Sequence, residues 1–212
     1  MKRLAAYEKF HERLISGEIR PGQFVTQKEL AALVGLPLGA TREAIQRLEF
    51  ESLLRVYPQR GIQVAEVTAK LIKNAYGFRM ILELESVRKF ARSANVDVVQ
   101  QLYDETARIL ANAKGDVTAQ TQEEAVEVDW KMHDAVIDHQ ENDILSEAYR
   151  VNAARIRLVR GPGNRLPIPR IISALEEHLV ILEACLANDE DRASRELERH
   201  ISTSLKLAIE NA

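Results

Sequence analysis

The chain has 212 residues, 46% hydrophobic and 29% charged, with a net charge of −3, which is ample for a packed core and excludes a wholly disordered polymer. Its one cysteine, Cys185, excludes an internal disulfide framework and a cysteine-only zinc site. The opening MKRLAAYEKFHERL has no unbroken apolar stretch, and no window reaches the roughly eighteen apolar residues of a membrane span, so a cytoplasmic protein with no signal peptide and no membrane partner is expected.

In chain order, Leu4, Tyr7, Phe10, Leu14 and Ile15 form a helical stripe over residues 3–16. Ser16-Gly17 stops it and Pro21-Gly22 makes a turn. Thr26 with Glu29 three residues later reads as a capping box, opening a short helix that runs to Val34 and ends at Gly35. After Pro37-Leu38-Gly39 another helix is expected, with Ala44, Ile45 and Leu48 on one face. Leu53–Tyr57 and Ile62–Val64, separated by Pro58-Gln59-Arg60-Gly61, read as a hairpin. Residues 1–66 are thus expected to be three helices and a two-stranded wing, and residues 67–212 an all-helical bundle. The helices predicted there lie near 68–92, 96–113, 119–139, 142–159, 168–187 and 190–210, with a break at Gly115 and a loop around residues 161–167. Residues 1–66 carry a net charge of +2 and the remainder −5, a small asymmetry consistent with two modules.

Two short helices, a tight turn and a hairpin describe a winged helix-turn-helix, whose second helix enters the major groove of double-stranded DNA. Lys28, Arg42, Arg47, Arg55 and Arg60 are cations placed for phosphates or base edges; their alternative role is to solvate helix faces. The stretches ISGEIRPGQFVTQKELAALVGL and TREAIQRLEFESLLRVYPQRGIQV, within residues 15–64, resemble the DNA-binding domain of the GntR family of transcription regulators. The resemblance implies operator binding as a homodimer, with Lys28 and Arg42 contacting DNA and Arg60 and Gly61 forming the wing tip. Where the family has Ser/Thr-Arg-Thr before its recognition helix, this chain has Pro37, Leu38 and Gly39, and Gly39 is taken into the DNA-contacting set. Pro37 cannot supply a capping oxygen, and Leu38 has no hydrogen bond to offer a base, so an altered operator or a rebuilt helix start is expected. Ser52 stands where a glycine is common, at a helix end.

Five histidines are present. His11 has no evident partner and His139, at a helix end, is expected to be exposed. His133 shares a stripe with Val126, Trp130 and Ile137; His178 with Ile171, Leu175, Leu182 and Cys185; His200 with Ala193 and Leu197. All three therefore point inward. Asp129 lies one turn before His133 on the same face. One carboxylate and three imidazoles entering a bundle from three helices can form the first shell of a divalent metal; otherwise they are hydrogen-bonded core residues. Arg79 borders the apolar face of its helix and could equally form an ion pair with Glu83. Asn152 lies on the stripe of Leu145, Tyr149, Ile156 and Val159, where an effector or a structural hydrogen bond could satisfy it.

The blocks Tyr76-x-x-Arg79-x-x-x-Glu83, Asp129-x-x-x-His133, Glu177-His178-x-x-Ile181-Leu182 and Ala193 with His200 resemble the FCD effector domain of the FadR subgroup over residues 76–205. That resemblance implies a metal held by Asp129, His133, His178 and His200, with zinc first among candidates and nickel or another transition metal behind it. It also places Arg79 in a pocket for a small organic carboxylate. The expected function is a metabolite-responsive, DNA-binding transcription regulator rather than an enzyme. The alternatives are a metalloenzyme, which would leave the DNA-binding module unexplained, and a structural-metal scaffold, against which metal-dependent small-molecule binding would argue.

Overall fold

The computed structural model describes residues 9, 10, 13, 18–115, 118–160 and 168–211, without the side chains of 168 and 169. The helix expected over 3–16, with His11, and the loop expected over 161–167 lie largely or wholly outside the described residues. Eight helices and three strands are defined among the described residues: β1 (Phe24–Val25), α1 (Gln27–Val34), α2 (Leu38–Phe50), β2 (Leu54–Tyr57), β3 (Gly61–Val64), α3 (Ala69–Ser93), α4 (Val96–Gly115), α5 (Ala119–Asp138), α6 (Asp143–Arg160), α7 (Ile168–Leu186) and α8 (Glu190–Glu210). They form two compact units, one of residues 1–72 with 153–164, the other of 73–152 with 165–211. No described helix is long and apolar enough to cross a membrane.

The first unit is a winged helix-turn-helix. Thr26 caps α1 in a full capping box: its side chain accepts from the Glu29 amide, and the Glu29 carboxylate accepts from the Thr26 amide. Gly35 ends α1 in the left-handed conformation, with φ of 64°. At the start of α2, Pro37 offers no side-chain cap, while the Thr41 hydroxyl donates to the Pro37 carbonyl. Ser52 adopts φ of 60°, so the turn made by glycine elsewhere is kept here with the steric cost of a side chain.

The wing has three strands, not the two expected: β3 is central in the order β1-β3-β2, with Val25 opposite Ile62 and Val56 opposite the same residue on the other side. A two-residue strand has too little alternation to be seen in sequence. Leu30, Val34, Ile45, Leu48, Leu53, Ile62 and Val64 close the core together with Ala154 and Leu158 of α6. Arg155 donates from Nε and Nη2 to the Glu51 carbonyl at the C-terminal cap of α2 (3.2 and 2.8 Å), satisfying a carbonyl that the helix itself leaves open.

In the second unit α7 packs against α4, α5 and α8. Ile109, Leu110, Ala125, Val128, Ile171 and Leu175 form one apolar cluster. His139 is half-buried rather than exposed: it closes α5, lies edge-on to Phe90 and hydrogen-bonds Ser93 (2.9 Å).

Gly61 holds φ of 106°, and a Cβ there would sit 3.0 Å from the Val25 carbonyl oxygen. Gly61→Ala is expected to cost roughly 1–3 kcal/mol, read as a lower urea midpoint at unchanged slope. An unchanged midpoint would show that the wing relaxes around the methyl group.

Candidate metal and effector site

On the winged-helix unit, Lys28, Gly39, Arg42, Arg55 and Arg60 are exposed, and Gly61 is half-buried. The Arg55 guanidinium lies over the Tyr57 ring at 5.2 Å. Arg47 is engaged by Glu51, Nε to Oε1 at 2.9 Å. Lys28 stands on α1, Gly39 and Arg42 at the start of α2, and Arg60 beside Gly61 in the turn between β2 and β3.

In the helical unit, four side chains meet. Asp129 and His133 from α5, His178 from α7 and His200 from α8 place one ligand atom each within 4.8 Å of all the others, and all four residues are buried. The His178 and His200 Nε2 atoms are 3.3 Å apart, and His178 Nε2 is 3.5 Å from Asp129 Oδ1. Burial pushes the His200 pKa down to about 4, against the pull of Glu177. Burial and the neighbouring His200 push His178 well below its ordinary value. Both rings are therefore neutral at pH 7.

The outer nitrogens of two histidines rest on carboxylates. His133 Nδ1 is 2.7 Å from Glu83 Oε2, and His200 Nδ1 is 2.6 Å from Glu177 Oε2. Burial alone would raise the Glu83 carboxyl, but Arg79 and His133 outweigh it and hold it at about 2. Burial also opposes ionisation of Glu177, but hydrogen bonds from His200 and Arg170 keep its pKa below the usual range. An ionised carboxylate only accepts, so both histidines carry a proton on Nδ1 and are left with Nε2 on the side away from the carboxylate. Imidazole nitrogens and a carboxylate oxygen converging on one point suit a divalent cation of borderline softness. The donor set thus fits the metal that the resemblance implies.

Arg79 is fully buried beside this cluster. Its Nε donates to Glu83 Oε1 at 2.6 Å, so the ion pair with Glu83 exists, but inside the bundle rather than on its surface. Its Nη1 and Nη2 have no hydrogen-bond partner, and the buried Tyr149 hydroxyl lies near Glu83. Burial and the nearby Glu83 charge push the Tyr149 pKa up, so it stays a donor. The Arg79 Cζ lies 5.7 Å from the centre of the buried Trp130 ring. Asn152 is buried and donates to the Ala75 carbonyl at 2.8 Å, the structural alternative anticipated for it.

The sequence did not single out Glu83, Glu177 or Tyr149 as parts of a site. Each had a signal: Glu83 is one turn from Arg79, Glu177 precedes His178, and Tyr149 shares the stripe of Asn152. Their partners on other helices could not be read from spacing within one helix.

Residues 2–64 match the family model described as bacterial regulatory proteins, gntR family, and residues 74–203 match the FCD domain model. The chain belongs to the GntR family of regulators. Among curated relatives, it is 23% identical over 205 residues to the uncharacterized HTH-type transcriptional regulator YdhC of Bacillus subtilis, covering 94% of this chain and 87% of the relative. Its fold matches E. coli McbR/YncC with a TM-score of 0.77 at 21% identity, over 100% of this chain and 98% of that one. The Zn2+-bound FCD domain of TM0439 matches with a TM-score of 0.52 at 20% identity, over 69% of this chain and 97% of that one. This GntR regulator therefore pairs a DNA-binding domain with an FCD effector domain. Its family acts on transcription through DNA operators, not as enzymes, and FCD domains can bind metals.

Arg79→Ala would leave the Glu83 charge buried without its main partner, at a cost of about 3–5 kcal/mol. Arg79→Met combined with Glu83→Gln should recover most of that loss. Urea unfolding of the metal-free proteins reads both; a single-variant loss under about 1 kcal/mol would mean that the pair is solvated in solution.

Proposed function

We propose that this regulator binds its operator as a homodimer and that a small organic carboxylate, held at a metal centre in the helical domain, alters that binding. In this reading residues 1–66 are the DNA-binding domain, residues 67–212 are the effector domain, and the protein works in the cytoplasm. Lys28, Gly39, Arg42, Arg60 and Gly61 are the DNA-contacting set. Asp129, His133, His178 and His200 hold the metal, with zinc the leading candidate. The observation that carries the reading is the juxtaposition of two features: four converging ligand atoms and, in the same interior, an arginine with both Nη atoms unpartnered.

A bound divalent cation would supply a Lewis-acid anchor for an effector oxygen. The chain supplies the rest. Arg79 is held by Glu83 through Nε, leaving the two-pronged end that suits a carboxylate. Tyr149 adds a hydroxyl donor, and Asn152, tied to Ala75 through its Nδ2, borders the effector. An anion is favoured because a buried cation with open donors gains most from charge. A dimer reads two half-sites, so an effector that changes their relative placement changes operator affinity.

Binding to an operator selected from random DNA, followed by anisotropy, tests both halves. Arg42→Ala and Arg60→Ala should each lower the salt slope by about 1 where the side chain contacts a phosphate. In a panel of small carboxylates, at least one should shift operator affinity in zinc-loaded protein and fail to do so after chelation. Unchanged operator binding in both variants would contradict the DNA assignment. A carboxylate response that survives chelation would contradict the metal-centred effector site.

A further inference from the structure

Two of the three inward histidines sit at the end of a matching chain of side chains. On one side Arg79 Nε donates to Glu83 Oε1 (2.6 Å), and Glu83 Oε2 meets His133 Nδ1 (2.7 Å). On the other, Arg170 donates through Nη1 and Nη2 to both Glu177 oxygens (2.8 and 2.9 Å), and Glu177 Oε2 meets His200 Nδ1 (2.6 Å). Arg170 is further fixed by Ser204, at 2.9 Å. Each carboxylate is locked by an arginine and also meets one ring nitrogen. His178 has no such support: its buried Nδ1 has no partner.

The geometry points to Glu83 and Glu177 as positioning residues of the metal centre: each clamps the outer nitrogen of one histidine, His133 or His200, so that Nε2 faces the cation. The inference rests on the metal reading above and adds to it the two Arg–Glu–His chains. A carboxylate behind a ligating imidazole fixes the tautomer, orients the ring and raises its basicity, and loss of such a partner weakens metal binding by about 10–100-fold. The arginines matter because a carboxylate that has an arginine partner is already oriented before the metal arrives. Glu83 also holds Arg79, so one carboxylate orients both a metal ligand and the anion-binding arginine. Glu177, paired with Arg170, orients a metal ligand but does not hold Arg79.

The test uses full-length protein and metal alone. Zinc affinity is measured by competition with a chromophoric chelator for wild type, Glu177→Gln, Glu177→Met and the double variant Arg79→Met with Glu83→Gln, which leaves no unpaired buried charge. Melting temperatures of the metal-free forms and visible spectra of the cobalt(II) forms are recorded alongside. Affinity should fall about tenfold for Glu177→Gln and for the double variant, in each of which a glutamine oxygen still accepts from Nδ1–H, and nearer a hundredfold for Glu177→Met. The cobalt bands should shift in intensity as the ring loses its orientation. Zinc affinity within about threefold of wild type in Glu177→Met, with only the metal-free melting temperature lowered, would overturn the inference, because Glu177 would then serve Arg170 alone. Wild-type protein that binds no metal would instead overturn the metal reading itself, and the two failures are distinct.

Discussion

The constraint on which the helical domain depends is that a buried charge must be paired. Glu83 and Arg79 are both fully buried, and an isolated ion in such a place would be expelled or neutralised. The chain satisfies Glu83 from two directions, by a guanidinium one turn earlier on its own helix and by an imidazole from α5. That leaves the far ends of both partners, the Arg79 Nη atoms and the His133 Nε2, without partners in the interior. An apolar side chain at position 83 would pack as well, yet it would leave Arg79 and His133 with nothing to hold them. Buried ion pairs contribute little net stability, so this polar interior fits the proposed binding site better than a device for stability.

Much of this was legible in the sequence, for reasons that differ by element. The helices of the second unit were located to within one or two residues because each carries a long 3.6-residue stripe, and Thr26 and Gly35 mark the ends of α1 with the chemistry that caps require. The inward histidines were visible for the same reason. β1 was not, because Phe24–Val25 acquires its identity only by pairing with β3. Glu83 and Glu177 look like ordinary helix-surface acids in one dimension. Their role follows from which helix lies opposite, and single-sequence periodicity carries no information on that. Asn152 shows the converse limit: the stripe placed it inside, but its partner, a backbone carbonyl of α3, lay far away in sequence.

The winged-helix unit absorbs its departures from the family pattern locally. Pro37 cannot cap α2, but it suits the position in another way, since its φ of −58° needs no adjustment. The first turn is secured instead by Thr41, through backbone and hydroxyl bonds to the Pro37 carbonyl. Leu38, where the family pattern has an arginine, stays exposed and has no hydrogen bond to offer a base. At the other end of α2, Ser52 keeps the left-handed turn and Arg155 satisfies the Glu51 carbonyl. The helix that would enter the groove is thus fixed at both termini by bonds other than those its sequence advertises.

The central claim is that three imidazoles and one carboxylate converge because they hold a cation. Anomalous X-ray diffraction at the zinc edge, from crystals of the full-length protein grown with zinc, tests it most directly. The account predicts one strong peak per chain, about 2.0–2.2 Å from Nε2 of His133, His178 and His200 and from an Asp129 oxygen. A buried cluster with no anomalous signal, its histidines bonded to one another and to water, would contradict it.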